Sequence, residues 1–264
     1  VSRSGYYAWK SRVPETSSDP LATAVRDEFW DHSKRSGSRR IQTGLRRKGI
    51  RIGRRRIRRI MAKEKLRAIQ PTRFVPRTTN SQHGRRMSPN LLVDLKVTRP
   101  RQVLVSDITY VPLQKGRWAY LATFQDVYTR RVLGWDIAAS MTGELVISAL
   151  RQALNCGNLK SGTILHSDRG GQYVDAEFRR IIKEHGFLQS MSRAGEVYDN
   201  AQAESLWARY KIELLEGGSF RDLTEARIET SAYFGEYYNR KRWHSAIGYQ
   251  SPEEFESGYY QIAA

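Results

Sequence analysis

The chain of 264 residues has one cysteine, Cys156, which excludes an internal disulfide and any cysteine-built zinc finger. Its five histidines form no cluster with it that would suggest zinc. No apolar run approaches the roughly 18 residues of a membrane span, and no signal-peptide pattern opens the chain. A G-x-x-x-x-G-K phosphate loop is missing as well, so no ATP site is expected. Acidic residues are scarce in one part only. Residues 1–100 carry 26 Lys+Arg against 7 Asp+Glu, and residues 101–264 carry 19 against 20. The whole surplus of +18 therefore lies in the first hundred residues, the pattern of a nucleic-acid-binding arm beside a near-neutral domain. A purely solubilising extension would give the same count, but here the charge falls inside an amphipathic helical pattern.

What is present centres on Ile164–Tyr173, I-L-H-S-D-R-G-G-Q-Y. A short apolar strand ends in His166, Ser167 and Asp168 and then turns at Gly170 and Gly171. A carboxylate at the C-terminal end of a buried strand lies at the mouth of an α/β sheet, where ligands bind. Taken alone, such an Asp is more often a cap or a turn residue. Two other stretches add to it. Val103–Tyr110, V-L-V-S-D-I-T-Y, is a β-branched strand that carries Asp107 among apolar residues. Tyr198–Lys211 reads as a capped helix that carries Glu204. Asp107 and Asp168 are 61 positions apart, and 35 residues lie between Asp168 and Glu204. Asp107 and Asp168 interrupt apolar strands, where a carboxylate without a task is costly to bury.

Four motifs stand in order: S-D-I-T-Y, H-S-D-R-G-G-Q-Y, S-M-S-R-A-G-E-V-Y-D-N-A-Q-A-E-S and Y-Y-N-R-K-R-W-H-S-A-I-G-Y-Q-S-P-E-E-F. In these motifs the chain resembles the insertion-sequence-three family of transposases, in the product of the second reading frame. The resemblance implies an RNase H-like, integrase-type α/β core: a mixed five-stranded sheet with helices on both faces, behind a small all-α helix-turn-helix domain. It implies a D…D-35-E triad of Asp107, Asp168 and Glu204 that holds two Mg²⁺ ions, with Mn²⁺ able to substitute. Asp107 would bridge both ions, Asp168 would hold one and Glu204 the other. Three carboxylates suffice, because Mg²⁺ takes few of them and completes its shell with water and phosphate oxygens.

The activity implied is cleavage at the ends of an insertion sequence and transfer of the freed 3′ hydroxyl into target DNA. The partners implied are the terminal inverted repeats, target DNA and a second copy of the chain, so that the protein is at least a dimer on DNA. The place of work implied is the bacterial cytoplasm, on the nucleoid. A retroviral-type integrase, an RNase H-like nuclease and a domesticated DNA-binding protein are the rival readings. The helix-turn-helix, and Gln172-Tyr173 after the second Asp, favour the insertion-sequence family over the first two. An intact triad argues against the third. The opening V-S-R-S-G-Y-Y-A-W-K reads as the continuation of something longer.

In order, residues 1–18 read as the tail of an upstream segment plus a linker. Residues 19–69 read as the helix-turn-helix domain, 70–100 as a basic linker, 101–240 as the catalytic core and 241–264 as a C-terminal tail. Within 19–69, Ala22, Val25, Phe29 and Trp30 share one side of a first helix, Ile41 and Leu45 mark a second, and Ile57, Ile60 and Met61 line a third. The third helix opens G-R-R-R-I-R-R. Arg54, Arg55, Arg56, Arg58 and Arg59, with Arg39 and Arg40 on the second helix, are the expected DNA contacts; a solvated basic face is the alternative. Lys211, seven residues after Glu204, and Gln202 are further DNA-contact candidates beside the triad. His166 is read as a supporting residue, with a core histidine as the alternative. Asp126 ends a strand but matches a family position not used for metal, and Asp199 pairs with Asn200 as a helix cap, so neither is read as a metal ligand. At Trp243 the family usually has proline, which puts the local turn in doubt.

Overall fold

The computed structural model describes residues 2–4, 19–69, 87–193 and 200–263. The chain divides into two compact units, Val1–Ile69 and Gln70–Ala264.

Among the described residues of the first unit stand the helices α1 (Pro20–Asp31), α2 (Ser38–Arg47) and α3 (Arg54–Lys63). Asp19 caps α1 by accepting the Leu21 amide at 3.0 Å, and Pro20 fills a first-turn position that needs no N–H. Val25, Phe29, Ile41, Leu45, Ile57 and Ile60 form its core. Trp30 does not join them: it is 51% exposed, with its ring edge-on to Phe29 and the Lys34 ammonium 5.5 Å from the ring centre. Neighbouring helical residues point about 100° apart. Val25 and Phe29, spaced i, i+4, define the inward stripe, and Trp30 is turned off it. Between α2 and α3 the chain turns at Gly49 (φ +79°), and the Gln42 amide clamps the turn by donating to the Ile52 carbonyl at 3.0 Å.

The second unit is built on a sheet in the order β3-β2-β1-β4-β5, from β1 (Val103–Pro112), β2 (Trp118–Asp126), β3 (Val132–Ala138), β4 (Ile164–Ser167) and β5 (Leu188–Met191). The first three strands form an antiparallel meander, and β4 and β5 join parallel to β1. Alternation along β2 sends Ala122 and Phe124 to one face and Ala119 and Leu121 to the other. The first face packs on α4 (Gly143–Gly157) and α5 (Ala176–Glu184), through Val146, Leu150, Phe178 and Ile181. The opposite face packs on α6 (Ala201–Tyr210) and α7 (Leu223–Ala232), through Leu206, Trp207, Tyr210 and Ala226. Helix α4 can approach β3 because of Gly134: a Cβ there would lie 2.2 Å from the Ala149 carbonyl oxygen.

Two helices run on into wider turns. The α6 segment gives way after Tyr210 to a π turn, Lys211–Leu215, and α7 to another, Tyr233–Tyr238. Wider turns of this kind recur at functional sites and under bulky side chains. Here Tyr210, Tyr233, Phe234 and Tyr238 pack ring against ring. Beyond them Arg242 makes two 2.7 Å bonds to Glu213, both residues buried, and Trp243 is buried next to it. The last segment is a helix, α8 (Pro252–Ala263). Its buried Glu256 pairs with both Arg101 and Arg131, and Phe255 and Tyr259 each set a ring 5.5 Å from Tyr128.

Candidate active site

Asp107 lies midway along β1, opposite Thr123 of β2. Strand β4 pairs with β1 only as far as Val105, so Asp168, immediately after β4, comes beside the stretch of β1 that carries Asp107. Helix α6 crosses the face of β1 and carries Glu204 in its first turn. Each carboxylate therefore comes from a different element, and the sheet order brings those elements together.

Electrostatics ties the three together. Burial pushes the Asp107 carboxyl up, the charge of Asp168 adds to this, and that of Glu204 adds a smaller part. Bonds from the Ile108 amide and the Trp207 indole act against them, and the result is about 7. These bonds are Ile108 N–H to Oδ1 at 2.8 Å and Trp207 Nε1–H to Oδ2 at 3.0 Å. Asp168 is held by its own turn: Oδ1 accepts the Gly170 amide at 2.9 Å. A Cβ on Gly170 would lie 3.0 Å from that oxygen, so the residue that closes the turn has to be small. Glu204 is exposed. Among the described residues no three His, Cys, Asp or Glu side chains stand close enough together to form a ready metal cage.

Around this group stand residues that sequence reasoning partly foresaw. Lys211 is half-buried; burial holds its ammonium below the ordinary lysine value, and the charge of Asp107 opposes this by a smaller amount. His166 is fully buried, with Nδ1 2.8 Å from the Ser190 hydroxyl and Nε2 3.2 Å from that of Ser192. It thus ties β4 to β5 and to the residue just beyond β5, two positions ahead of Asp168. Gln202 turns its amide inward, 3.3 Å from both Gln125 Oε1 and the Asp126 carbonyl. That use competes with the expected DNA contact. Asp126 is sealed in the β2–β3 turn, where it accepts from Thr129 Oγ1 at 2.7 Å and from the Tyr128 amide at 3.2 Å. Asp199 lies outside the described residues. Asn200 occupies the cap position of α6 without a side-chain capping bond.

Two members of the site escaped the sequence reading. One is Trp207. The other is Tyr173, whose phenol is 3.0 Å from the Ser106 hydroxyl and is pushed well up, first by burial and then by the charges of Asp107 and Asp168. Trp207 follows Glu204 by three positions and shares its helix face, a spacing that was legible. Nothing in the spacing marks Tyr173 as a neighbour of Asp107.

Comparison with known proteins bears on this arrangement. Residues 17–74 match the HTH-like domain family, and residues 97–196 and 185–252 match two families described as Integrase core domain. The chain is 40% identical over its full length to the Insertion element IS600 uncharacterized 31 kDa protein of Shigella sonnei, covering 98% of it. It is also 34% identical, over 97% of its length and 91% of the relative's, to Transposase InsF for insertion sequence IS3A of Escherichia coli K12. The chain belongs to the insertion-sequence-three family of transposases. Among solved structures, a simian T-cell lymphotropic virus intasome in complex with PP2A regulatory subunit B56 gamma aligns with a TM-score of 0.50 and 13% identity, over 88% of this chain and 74% of that one. At that identity the likeness is one of fold, and it places this transposase core among integrase-type, RNase H-like sheets.

The seven arginines expected at DNA lie in the HTH-like unit. Arg39, Arg54, Arg55, Arg56, Arg58 and Arg59 are exposed. Arg40 is half-buried and donates to the Arg35 carbonyl at 3.0 Å, so part of its bonding capacity is used within the fold. Arg56 stands 3.5 Å from Asp19. No helix among the described residues is long and apolar enough to cross a membrane.

Proposed function

We propose that this transposase cleaves DNA at the ends of its insertion sequence and joins the freed 3′ hydroxyl to a target phosphodiester, with Asp107, Asp168 and Glu204 as the catalytic carboxylates. The observation that carries this is that Asp168, just after β4, and Glu204, in the first turn of α6, both bring their charge to bear on Asp107 in β1. The donor set suits Mg²⁺, with Mn²⁺ as substitute, because every donor is a hard carboxylate oxygen. Like charges set beside a partly buried Asp107 also favour a group that brings positive charge. Asp107, Asp168 and Glu204 would hold two such ions. When bound, these supply an activated oxygen nucleophile and a stabilised leaving oxygen. The chain's own residues do the rest. Trp207 and Ile108 orient Asp107, the Gly170 amide orients Asp168, and His166 stiffens the strand that delivers it. Lys211 offers a cation within the field of Asp107 for a backbone phosphate.

The same proposal gives residues 19–69 the role of gripping terminal inverted repeats and residues 101–240 that of catalysis. The arginines of α3 would bind phosphates, and the two ends would be held by at least two copies of the chain. End duplex incubated with the protein tests it. Cleavage and strand transfer are expected in Mg²⁺ or Mn²⁺, and binding with little chemistry in Ca²⁺. Robust cleavage in EDTA would sink the metal assignment, and a strictly monomeric, active complex would remove the second copy.

A further inference from the structure

Trp207 is buried, 6% exposed, yet its one polar atom meets Asp107 Oδ2 at 3.0 Å. An indole inside a protein needs a partner for its N–H, and most find a carbonyl or water. This one has found the carboxylate at the centre of the proposed site. The two residues are 100 positions apart, so the bond fastens α6 to β1. Glu204 lies one turn back along α6 from Trp207, on the same face. The bond thus ties the element that presents Glu204 to the side chain of Asp107.

We propose that Trp207 is a positioning residue that sets the plane of the Asp107 carboxylate and its spacing from Glu204, and so the affinity of the site for divalent metal. The inference rests on the metal reading given above. Its physical basis is orientation. Terminal torsions of Asp are broad wells, and a carboxylate held at one oxygen only is free to turn. With Ile108 at Oδ1 and Trp207 at Oδ2, both oxygens are fixed, and the remaining lone pairs point where the bonds leave them. Mg²⁺ requires near-octahedral ligands at about 2.0–2.1 Å and tolerates misplacement poorly. Bonds that orient a ligand in this way affect metal affinity or activity by about 10–100-fold when removed. The competing reading is packing: the ring stands edge-on to Tyr210, 6.4 Å between centres, and belongs to the apolar cluster beneath α6. Packing needs the ring, whereas positioning needs the N–H.

The two readings part in variants that keep the ring and lose the proton. Trp207→Phe is the simpler. Site-specific replacement of Trp207 by 3-benzothienylalanine, which has the same shape without the N–H, removes the objection that a smaller ring leaves a hole. The measurement is Mn²⁺ binding to the unreacted full chain, followed by the magnetic resonance signal of the free ion. Duplex binding and the melting temperature are recorded alongside. Expected is Mn²⁺ affinity about 10–100-fold weaker in both variants, with duplex binding and the fold retained. Wild-type Mn²⁺ affinity in the benzothienyl variant would overturn the inference and leave packing as the role of Trp207. Mn²⁺ affinity unchanged by Asp107→Asn would instead remove the metal site itself, a different failure that takes this inference with it.

Discussion

The second unit and helix α3 of the first use the same residue, arginine, in opposite ways. In the second, arginines are consumed internally: Arg242 by Glu213, Arg101 and Arg131 by Glu256, Arg227 by Asp136. In the first, Arg54, Arg55, Arg58 and Arg59 point outward from α3 and pair with no acid among the described residues. Internal pairing accounts for a fold, and an unpaired row of cations accounts for a polyanion to be gripped. Among its described residues the second unit departs from this habit where Asp168 and Glu204 set like charge beside a partly buried Asp107. The molecule thus presents positive charge on one unit and a knot of negative charge on the other. On the function proposed above, phosphate is the partner of the first and a divalent cation of the second.

The sharpest way to break that contrast is to discharge the negative knot. Glu204→Gln keeps size and hydrogen bonding but removes the charge. Strand transfer should fall at least roughly a thousandfold, about 4 kcal/mol of barrier, with duplex binding unchanged. Near-normal strand transfer would mean that the third carboxylate has to be sought elsewhere. The internal pairs should respond in stability instead. Glu213→Ala strands the buried Arg242 guanidinium and removes the acceptor of the Tyr233 phenol. A loss of about 3–5 kcal/mol is expected on urea unfolding, and a change below about 1 kcal/mol would mean that the pair is solvated in practice.

How much of this was open to sequence differs by region for physical reasons. The first strand announces itself because β-branched residues crowd it: Val103–Tyr110 was readable, and the strand runs Val103–Pro112. The order of the sheet was not legible, since no local pattern dictates that β4 pairs with β1. Trp30 misled because a helical stripe fixes a face only to within about one residue. Glu256 was invisible as a buried anchor because a glutamate in a helix ordinarily lies at the surface; its partners, Arg101 and Arg131, come from distant sequence. The π turns after Tyr210 and Ala232 were equally hidden, since the aromatic packing that accompanies them is tertiary. Trp207 and Tyr173 belong to the same class, as contacts made only once α6 and the turn after β4 have docked.

A smaller effect sharpens the positive half of the comparison. Replacing Arg54, Arg55 and Arg58 together with Ala should weaken duplex binding and flatten its salt dependence. Each lost phosphate contact should reduce the log–log slope by about 0.9. The fold should survive, since these side chains are exposed while Ile57 and Ile60 hold α3 to its core. An unchanged slope in the folded variant would show that α3 faces solvent in the complex.

The smallest effect concerns pH, and it isolates the negative knot from everything else. The Asp107 carboxyl stands at about 7 in the folded chain, above the ordinary carboxylate range it returns to on unfolding. Between those values the folded state holds a proton that the unfolded state has lost, so stability falls as pH rises, and the fall is complete once pH passes about 7. Metal-free protein should therefore melt at a higher temperature at about pH 6 than this group allows at about pH 8. Mg²⁺ takes the charged form, so the rise in melting temperature that it confers should grow from the lower pH to the higher. Asp107→Asn carries no such proton, and in that variant both trends should shrink. Melting curves at the two pH values, with and without Mg²⁺, on wild type and variant, provide the difference. If the pH dependence of the metal effect is the same in Asp107→Asn, another group carries that proton, and Asp107 is not where negative charge accumulates.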